Sequence, residues 1–440
     1  VSLTSGAGNI GIGRQALTAL TTGGGNTAVG YTAGLAITTG ANNTALGYTA
    51  LDELVDGSGN TAIGSYAMGD TVGGTTSDGS SNNTAVGYNA AGGTWADQDC
   101  SNIVAIGHNA LSGALEGDGA DGSVAVGKSA LAALTTGAGN VAVGWTCMDA
   151  LTVGGNNTAV GYSALGASVD GASNSAFGYF ALGNYEGGSA EGNNTALGFK
   201  SGQYVSTGEN NTFVGSNAGK GAASGDVLTG DNNTAIGKDA GIALIQTAAA
   251  NCLVGRSAGV AIEDGSSNVC IGYYAGQHIT SGGTNTCVGD GSSAAATASN
   301  QIAIGNSAVT DGANKGRWGN SSISTNNIQT DWTVDSDSRI KKDVESSDIG
   351  LSFVNALKTR KYKKKHPSEY DAEILEARYK QGGSDYDDDK DEIIKDEFDD
   401  SKVWNGLVAQ EVKAVMDDIG VEFSGWSEDT KGKQGIQYST

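Results

Sequence analysis

One nine-residue stretch gathers the groups best suited to covalent chemistry: Ser336-Asp337-Ser338-Arg339-Ile340-Lys341-Lys342-Asp343-Val344. A serine hydroxyl is a weak nucleophile until a base takes its proton, and a lysine whose pKa is lowered by burial can do this without a histidine. Elsewhere reactive groups are sparse. The 5 cysteines, an odd number in 440 residues, do not make a disulfide framework. Cys270 and Cys287 occupy the same place in successive repeats. Stacked neighbours could form a bridge or a shared site, or the pair simply stands in for the alanine usual there. Acidic inserts such as Val55-Asp56-Gly57-Ser58-Gly59 and Glu116-Gly117-Asp118-Gly119-Ala120-Asp121-Gly122 offer oxygens to Ca²⁺. They match neither a calcium nonapeptide nor an EF-hand loop and read as solvated turns, so neither metal nor cofactor is expected. No carboxylate pair suited to glycoside hydrolysis stands out among the repeats. The sequons at Asn42, Asn82 and Asn156 follow from the repeat itself.

The elements that carry these groups are repetitive. The unit reads Asn-Thr-Ala-Val-Gly-Tyr-x-Ala, as in 26–33, 43–50, 157–164 and 268–275, and its glycine recurs from Gly13 to Gly305 at a commonest spacing of about 17 residues. A fixed period with insertions at one place is the mark of a solenoid. Composition agrees: 71 Gly with a single Pro excludes collagen, and regular Val, Ile and Leu positions exclude simple disorder. The chain begins inside a repeat, as a piece of something longer would.

Period-two alternation assigns faces. The residue before the glycine is aliphatic (Val29, Leu46, Ile63, Val86, Ile236), which predicts burial. The Asn, Ala and Gly fall on the opposite, uniformly small face, where another backbone layer is expected to approach. Repeated Asn predicts a ladder of side-chain amides, and turns held by the same residue. The residue after the glycine varies among Tyr31, Tyr48, Tyr88, Tyr162, Tyr273, Lys128, Lys238, Arg256 and Asp290, which predicts partial exposure. A row of Tyr with Trp145 offers stacking surface to a glycan, or merely covers the edge of the core. Short strands with small side chains bury little area per turn. The chain must therefore coil on itself into a roll or interlock with identical chains, and a homotrimer is the favoured outcome.

The repeat resembles the Asn-x-Ala-x-Gly-x-x-Ala units of the β-roll heads of trimeric autotransporter adhesins, and similar repeats of phage and marine-virus fibres. The fold class expected is a mainly β, Gly/Ala/Asn-rich β-solenoid over residues 1–310, trimeric, then a neck over 311–335 and a small α+β domain over 336–440. In that last part the charge density rises and two apolar helix stripes are predicted. One runs through Ile349, Phe353, Val354 and Leu357, the other through Leu407, Val408, Val412, Val415 and Met416. The acidic run 385–400 reads as a solvated loop.

The segment Ser336 to Val344 resembles the Ser-Asp-x-Arg-x-Lys-x-Asp-Ile start of the self-cleaving intramolecular chaperone domain of phage tail spikes and endosialidases. Further matches follow in order at Leu357-Lys358-x-x-Lys361-Tyr362, Gly406-Leu407-Val408-Ala409-Gln410-Glu411-Val412 and Gly435-Ile436-Gln437-Tyr438. That resemblance implies a domain that trimerises, templates the preceding shaft and cuts itself off. It makes Ser336 the nucleophile, Lys341 the general base and Asp335–Ser336 the scissile bond. Asp337, Arg339 and Asp343 would hold ion-pair geometry or subunit contacts. Any enzyme activity would be a single self-cleavage. Ser336 and Lys341 stand five residues apart, so a turn or a helix end must bring them together.

A physical motive exists for such a helper, because interlocked parallel β-structure nucleates slowly and aggregates. Removing the helper afterwards would leave the fibre kinetically trapped. The net charge of −23 argues against nucleic acid and anionic membranes as partners, and no apolar run is long enough to insert. The sequence thus points to a tail fibre or appendage of a virion. Its partners would be its own copies, other virion tail proteins and a host cell-surface receptor, a glycan among the candidates. The alternative is a bacterial cell-surface adhesin head of autotransporter type, which would continue into a membrane β-barrel.

Overall fold

The computed structural model describes residues 5–69, 79–96, 100–116, 120–187, 192–222, 227–323, 351–363, 386–387, 392–393, 403–422, 426–428 and 434–436. They fall into two compact units, 1–320 and 321–440, each described by itself.

In the first unit each repeat opens with a three-residue strand, as at Thr27–Val29, Thr44–Leu46 and Thr61–Ile63. An 18-stranded sheet results, from Ile10–Ile12 to Gly316–Trp318. Its pairings are parallel and in register: Thr27 lies beside Thr44, Ala28 beside Ala45 and Val29 beside Leu46. Consecutive repeats of one chain are neighbours, so the architecture is a parallel β-solenoid in which the chain coils on itself. Its last strand lies inside the stretch read as a neck, so the solenoid runs past residue 310.

The small face is covered as expected, but the burial expected of the aliphatic row is not found. The central alanine of each strand is the buried residue: Ala62, Ala105 and Ala159 are 0% exposed. The aliphatic residue before the glycine points out, with Leu46 at 47% and Leu197 at 50% exposure. The physical reason is width. One coil of about 17 residues encloses too little space for an aliphatic side chain from the strand as well as the Leu, Ile or Met contributed by the turn behind it. Leu51, Leu111, Leu131 and Met148 already fill that space. Where the turn supplies glycine instead, the strand centre grows. Phe213 fills the room left at Gly202 and Gly219, where an added Cβ would fall 2.9 and 2.2 Å from the Phe213 ring.

Two devices hold the corners. The glycine ending each strand from Gly13 to Gly305 has φ of 119–151°, and at Gly30 a Cβ would sit 2.0 Å from the carbonyl oxygen of Gly47 in the next coil. No other residue tolerates both the dihedral and that approach. The asparagine that opens each strand forms the predicted ladder. The Asn43 backbone N–H donates to Asn26 Oδ1 at 2.9 Å, while Asn43 Nδ2 donates to the same oxygen at 3.1 Å and to the Gly57 carbonyl at 2.9 Å. These residues are buried, so each donor would be costly to leave unpaired. The ladder is interrupted where the sequence substitutes Ile103 and Ser123, but the Ile103 N–H still donates to Asn83 Oδ1 and the Ser123 hydroxyl accepts from the Asn140 N–H.

The second unit has a small core of Phe353, Val412, Met416 and Val421, with Leu357, Leu407, Val415, Ile419 and Trp426 packed against it. The predicted stripes fall in part on helices: Phe353 and Val354 on α1 (Leu351–Ala356), with Leu357 just after it, and Val412, Val415 and Met416 on α2 (Ala409–Ile419), with Leu407 and Val408 just before it, while Ile349 lies outside the described residues. Val354, however, faces solvent. Helix α2 ends at Gly420, whose left-handed φ of 74° lets its N–H reach the Met416 carbonyl. Within the run read as a solvated acidic loop, Tyr386–Asp387 and Glu392–Ile393 pair as antiparallel strands.

Candidate functional site

Asp335, Ser336, Asp337, Arg339, Lys341 and Asp343 lie outside the described residues. The partner motifs named with them are described. Lys361 and Tyr362 lie on a strand, 360–362, that pairs antiparallel with 404–406, placing Arg360 opposite Gly406. Glu411 in the first turn of α2 takes a bidentate bond from Arg360, at 2.8 and 2.6 Å from Nε and Nη2. That guanidinium holds the Glu411 carboxyl below the usual carboxylate range, and Glu411 raises Arg360 in return. Trp426 Nε1 donates to the Ala409 carbonyl at 3.1 Å, fixing the segment after α2 to its first turn.

The candidate surface among the described residues is the outside of the solenoid. Two parallel rows run along the sheet. The first strand position gives a row of Thr, Val and Ile (Thr44, Val104, Val124, Thr158), and the third an unbroken aliphatic and aromatic row (Leu46, Ile106, Val160, Phe177, Leu197, Ile236, Ile271). A solenoid whose interior is already filled has no packing use for the second row. The sequence contained the signal. In Thr-Ala-Val the small residue lies between two larger ones, so alternation alone permits either face to be inside, and only the narrowness of the coil selects alanine.

Beside that row stands the column of residues that follow the corner glycines. The rings stack on one another: Tyr31 on Tyr48 at 5.2 Å and 11°, Tyr88 on His108 at 5.2 Å and 20°, Tyr162 on Tyr179 at 5.2 Å and 14°, Tyr179 on Phe199 at 5.3 Å and 10°. Cations cover the stack ends, Arg14 over Tyr31 and Lys128 over Trp145 at 5.5 Å each, and Arg256 over Tyr273 at 5.4 Å. The half-exposure expected of this column is present, but from Trp145 to Phe199 its ring faces are taken by other rings or by cations. These cation caps escaped sequence reasoning, although Lys128 and Arg256 share the aromatic column.

The remaining candidates are structural. Cys270 and Cys287 are register partners at the strand centre, buried in place of alanine and free. A hydrogen bond between them raises the Cys270 thiol and lowers that of Cys287. Burial pushes the Cys147 thiol up to about 12. Acidic side chains brace turns: Asp121 accepts the Ser101 N–H at 2.7 Å and Asp231 the Glu209 N–H at 2.8 Å. Among the described residues no group of His, Cys, Asp and Glu could hold a metal ion, and no helix is long and apolar enough to cross a membrane. No protein-family model matches this chain, and no curated protein matches it.

Proposed function

We propose that the chain is the shaft of a homotrimeric virion fibre or appendage that serves host attachment, assembled with the help of its own carboxy-terminal unit. The observation that carries the reading is the outward apolar row on a coil already packed inside. At about 4.8 Å per strand and about 7 Å between the two rows, the face is on the order of 80 Å long and offers roughly 500–800 Å² per copy. That exceeds the scattered apolar surface usual for a monomer and approaches one partner's share of a standard interface. A second copy of the same face is the natural cover, because its neutral Val, Ile, Leu and Thr rows would meet like with like without burying charge.

The proposal for the carboxy-terminal unit rests on the motif matches, whose described parts include the paired strands 360–362 and 404–406, the start of α2 and the strand 434–436. In this reading it associates first, aligns the shafts and is then released at Asp335–Ser336, with Ser336 as nucleophile and Lys341 as base. Two measurements test the whole. Sedimentation equilibrium of the uncleaved Ser336→Ala chain is expected to give three times the 44.0 kDa chain mass, and adding Val160→Lys on the outward row is expected to shift it toward one. On a denaturing gel the wild type is expected to give two bands, and Ser336→Ala or Lys341→Ala one. A monomeric Ser336→Ala chain refutes the shaft assembly. Identical single full-length bands for all three refute self-cleavage.

A further inference from the structure

We propose that the edge formed by the residues after the corner glycines binds a linear acidic polysaccharide, laid along the shaft between Lys128 and Arg256. The inference deepens the attachment reading above and rests on it. In this stretch Trp145 stands edge-on to Tyr162 at 5.4 Å, and Tyr162, Tyr179 and Phe199 stack in turn. Lys128 covers Trp145 and Lys200 covers Phe199 at 5.3 Å. With the faces occupied, a ligand meets ring edges, which are the positive side of the aromatic quadrupole. It also meets tyrosine hydroxyls and the N–H groups of Lys and Arg. Each of these favours an anion rich in acceptor oxygens, and none offers the open ring face that a neutral sugar would stack upon.

The charge distribution argues the same way. Residues 1–320 contain 8 Lys and Arg against 22 Asp and Glu. Yet Arg14, Lys128, Lys238 and Arg256 all fall in this one column, Lys200 adjoins it, and Asp290 is its only acid. In so acidic a chain a cation readily finds a carboxylate, as Lys238 does with Asp239 at 3.6 Å. Among the described residues Lys128, Lys200 and Arg256 have no such partner, so the edge stays positive. Lys128 and Arg256 are seven coils apart, about 34 Å at the usual strand spacing, which suits an extended polymer held at several points. Nucleic acid is the other common polyanion. A single strand would want open rings for its bases, and a duplex would meet the acidic remainder of the surface.

The test compares the intact wild type with Lys128→Ser/Lys200→Ser/Arg256→Ser. Serine already occupies equivalent positions at Ser65, Ser216 and Ser163, so the fold should tolerate it. Affinity is measured for polygalacturonate, for its fully methyl-esterified and hence uncharged form, and for oligothymidylate. The wild type is expected to bind polygalacturonate and to lose affinity roughly tenfold between about 50 and 300 mM salt, as screening of exposed charges requires. The triple variant is expected to bind roughly tenfold more weakly. Equal affinity for the methyl ester, equal or stronger binding of oligothymidylate, unchanged binding by the variant, or no binding by the wild type each overturns the inference. The mass of the same samples separates the two readings. A trimer that ignores polygalacturonate fails this inference alone, and a monomer fails the shaft reading whatever it binds.

Discussion

Replacing Gly161 by alanine should break the solenoid locally, and the size of the effect follows from its corner. Gly161 has φ of 140°, and a Cβ there would lie 2.3 Å from the carbonyl oxygen of Gly178 in the next coil. The dihedral alone costs about 1–3 kcal/mol for a residue with a side chain. Relieving the overlap means separating two coils joined by the bonds of the Gly178 N–H to the Val160 carbonyl at 2.8 Å and of the Phe180 N–H to the Tyr162 carbonyl at 3.0 Å. Weakening both adds about 0.5–1.5 kcal/mol each. A total near 4 kcal/mol corresponds to roughly a thousandfold faster opening in native-state hydrogen exchange. Because a solenoid is coupled mainly between nearest neighbours, the loss should be confined to amides around 141–180 and spare those at 302–304. Gly316→Ala is the control, since a Cβ there meets nothing within 4 Å. If Gly161→Ala exchanged no faster than Gly316→Ala, the close approach of corner carbonyls, and the reason given for the glycine, would be refuted.

Asn157→Ala should cost about 2–4 kcal/mol in urea unfolding. It removes donors to Asn140 Oδ1 and the Gly171 carbonyl and leaves the buried Asn174 N–H without its acceptor; an unchanged midpoint would mean that the ladder is incidental. For the second unit, Glu411 is lowered by Arg360, and a lowered carboxyl contributes stability above its unfolded value of ~4.3. That contribution is lost as pH falls through the folded value. Acidification below about pH 4.3 should therefore destabilise the wild type more than Glu411→Gln, read as the shift in thermal midpoint between pH 7 and pH 3. Parallel shifts would show that the pair adds nothing.

Much of the fold was legible because the repeat is strict. The spacing of Gly30, Gly47 and Gly64 fixed the coil length, and repeated Asn26, Asn43 and Asn60 announced the amide ladder. The orientation of the strand was not legible from alternation, which distinguishes two faces without saying which is inside. Aliphatic residues are usually buried in globular domains, and that habit misleads when the interior is one side chain wide. The covalent candidate site was legible only as a resemblance. The apolar row and the cation-capped rings were present as residue types, but their functional meaning depends on exposure, which for Val160 and Lys128 is a property of the coil and not of the repeat.

The coil also changes the task that an assembly domain would perform. Had identical chains interlocked, each strand would await partners from other chains, and nucleation would be the difficulty. Here each strand pairs with the next coil of its own chain, most often 17 residues on, as Thr27 does with Thr44, so a single chain can propagate its own sheet. The difficulty moves to the outward face. Rows of near-identical Val, Ile and Leu can slide past one another by one coil while burying almost the same area, because the repeat supplies little to distinguish one register from the next. Bulky exceptions such as Phe177 and Trp318 penalise a slip only where they occur. A compact unit that associates before the shafts meet removes that degeneracy, since it fixes all the copies at one end. In the proposed trimer the carboxy-terminal unit is therefore a device for register more than for folding. It follows that a shaft expressed without residues 321–440 should still show the β-sheet signature of the intact chain by circular dichroism, while its mass distribution becomes heterogeneous. A truncated shaft that failed to form sheet at all would refute this division of labour.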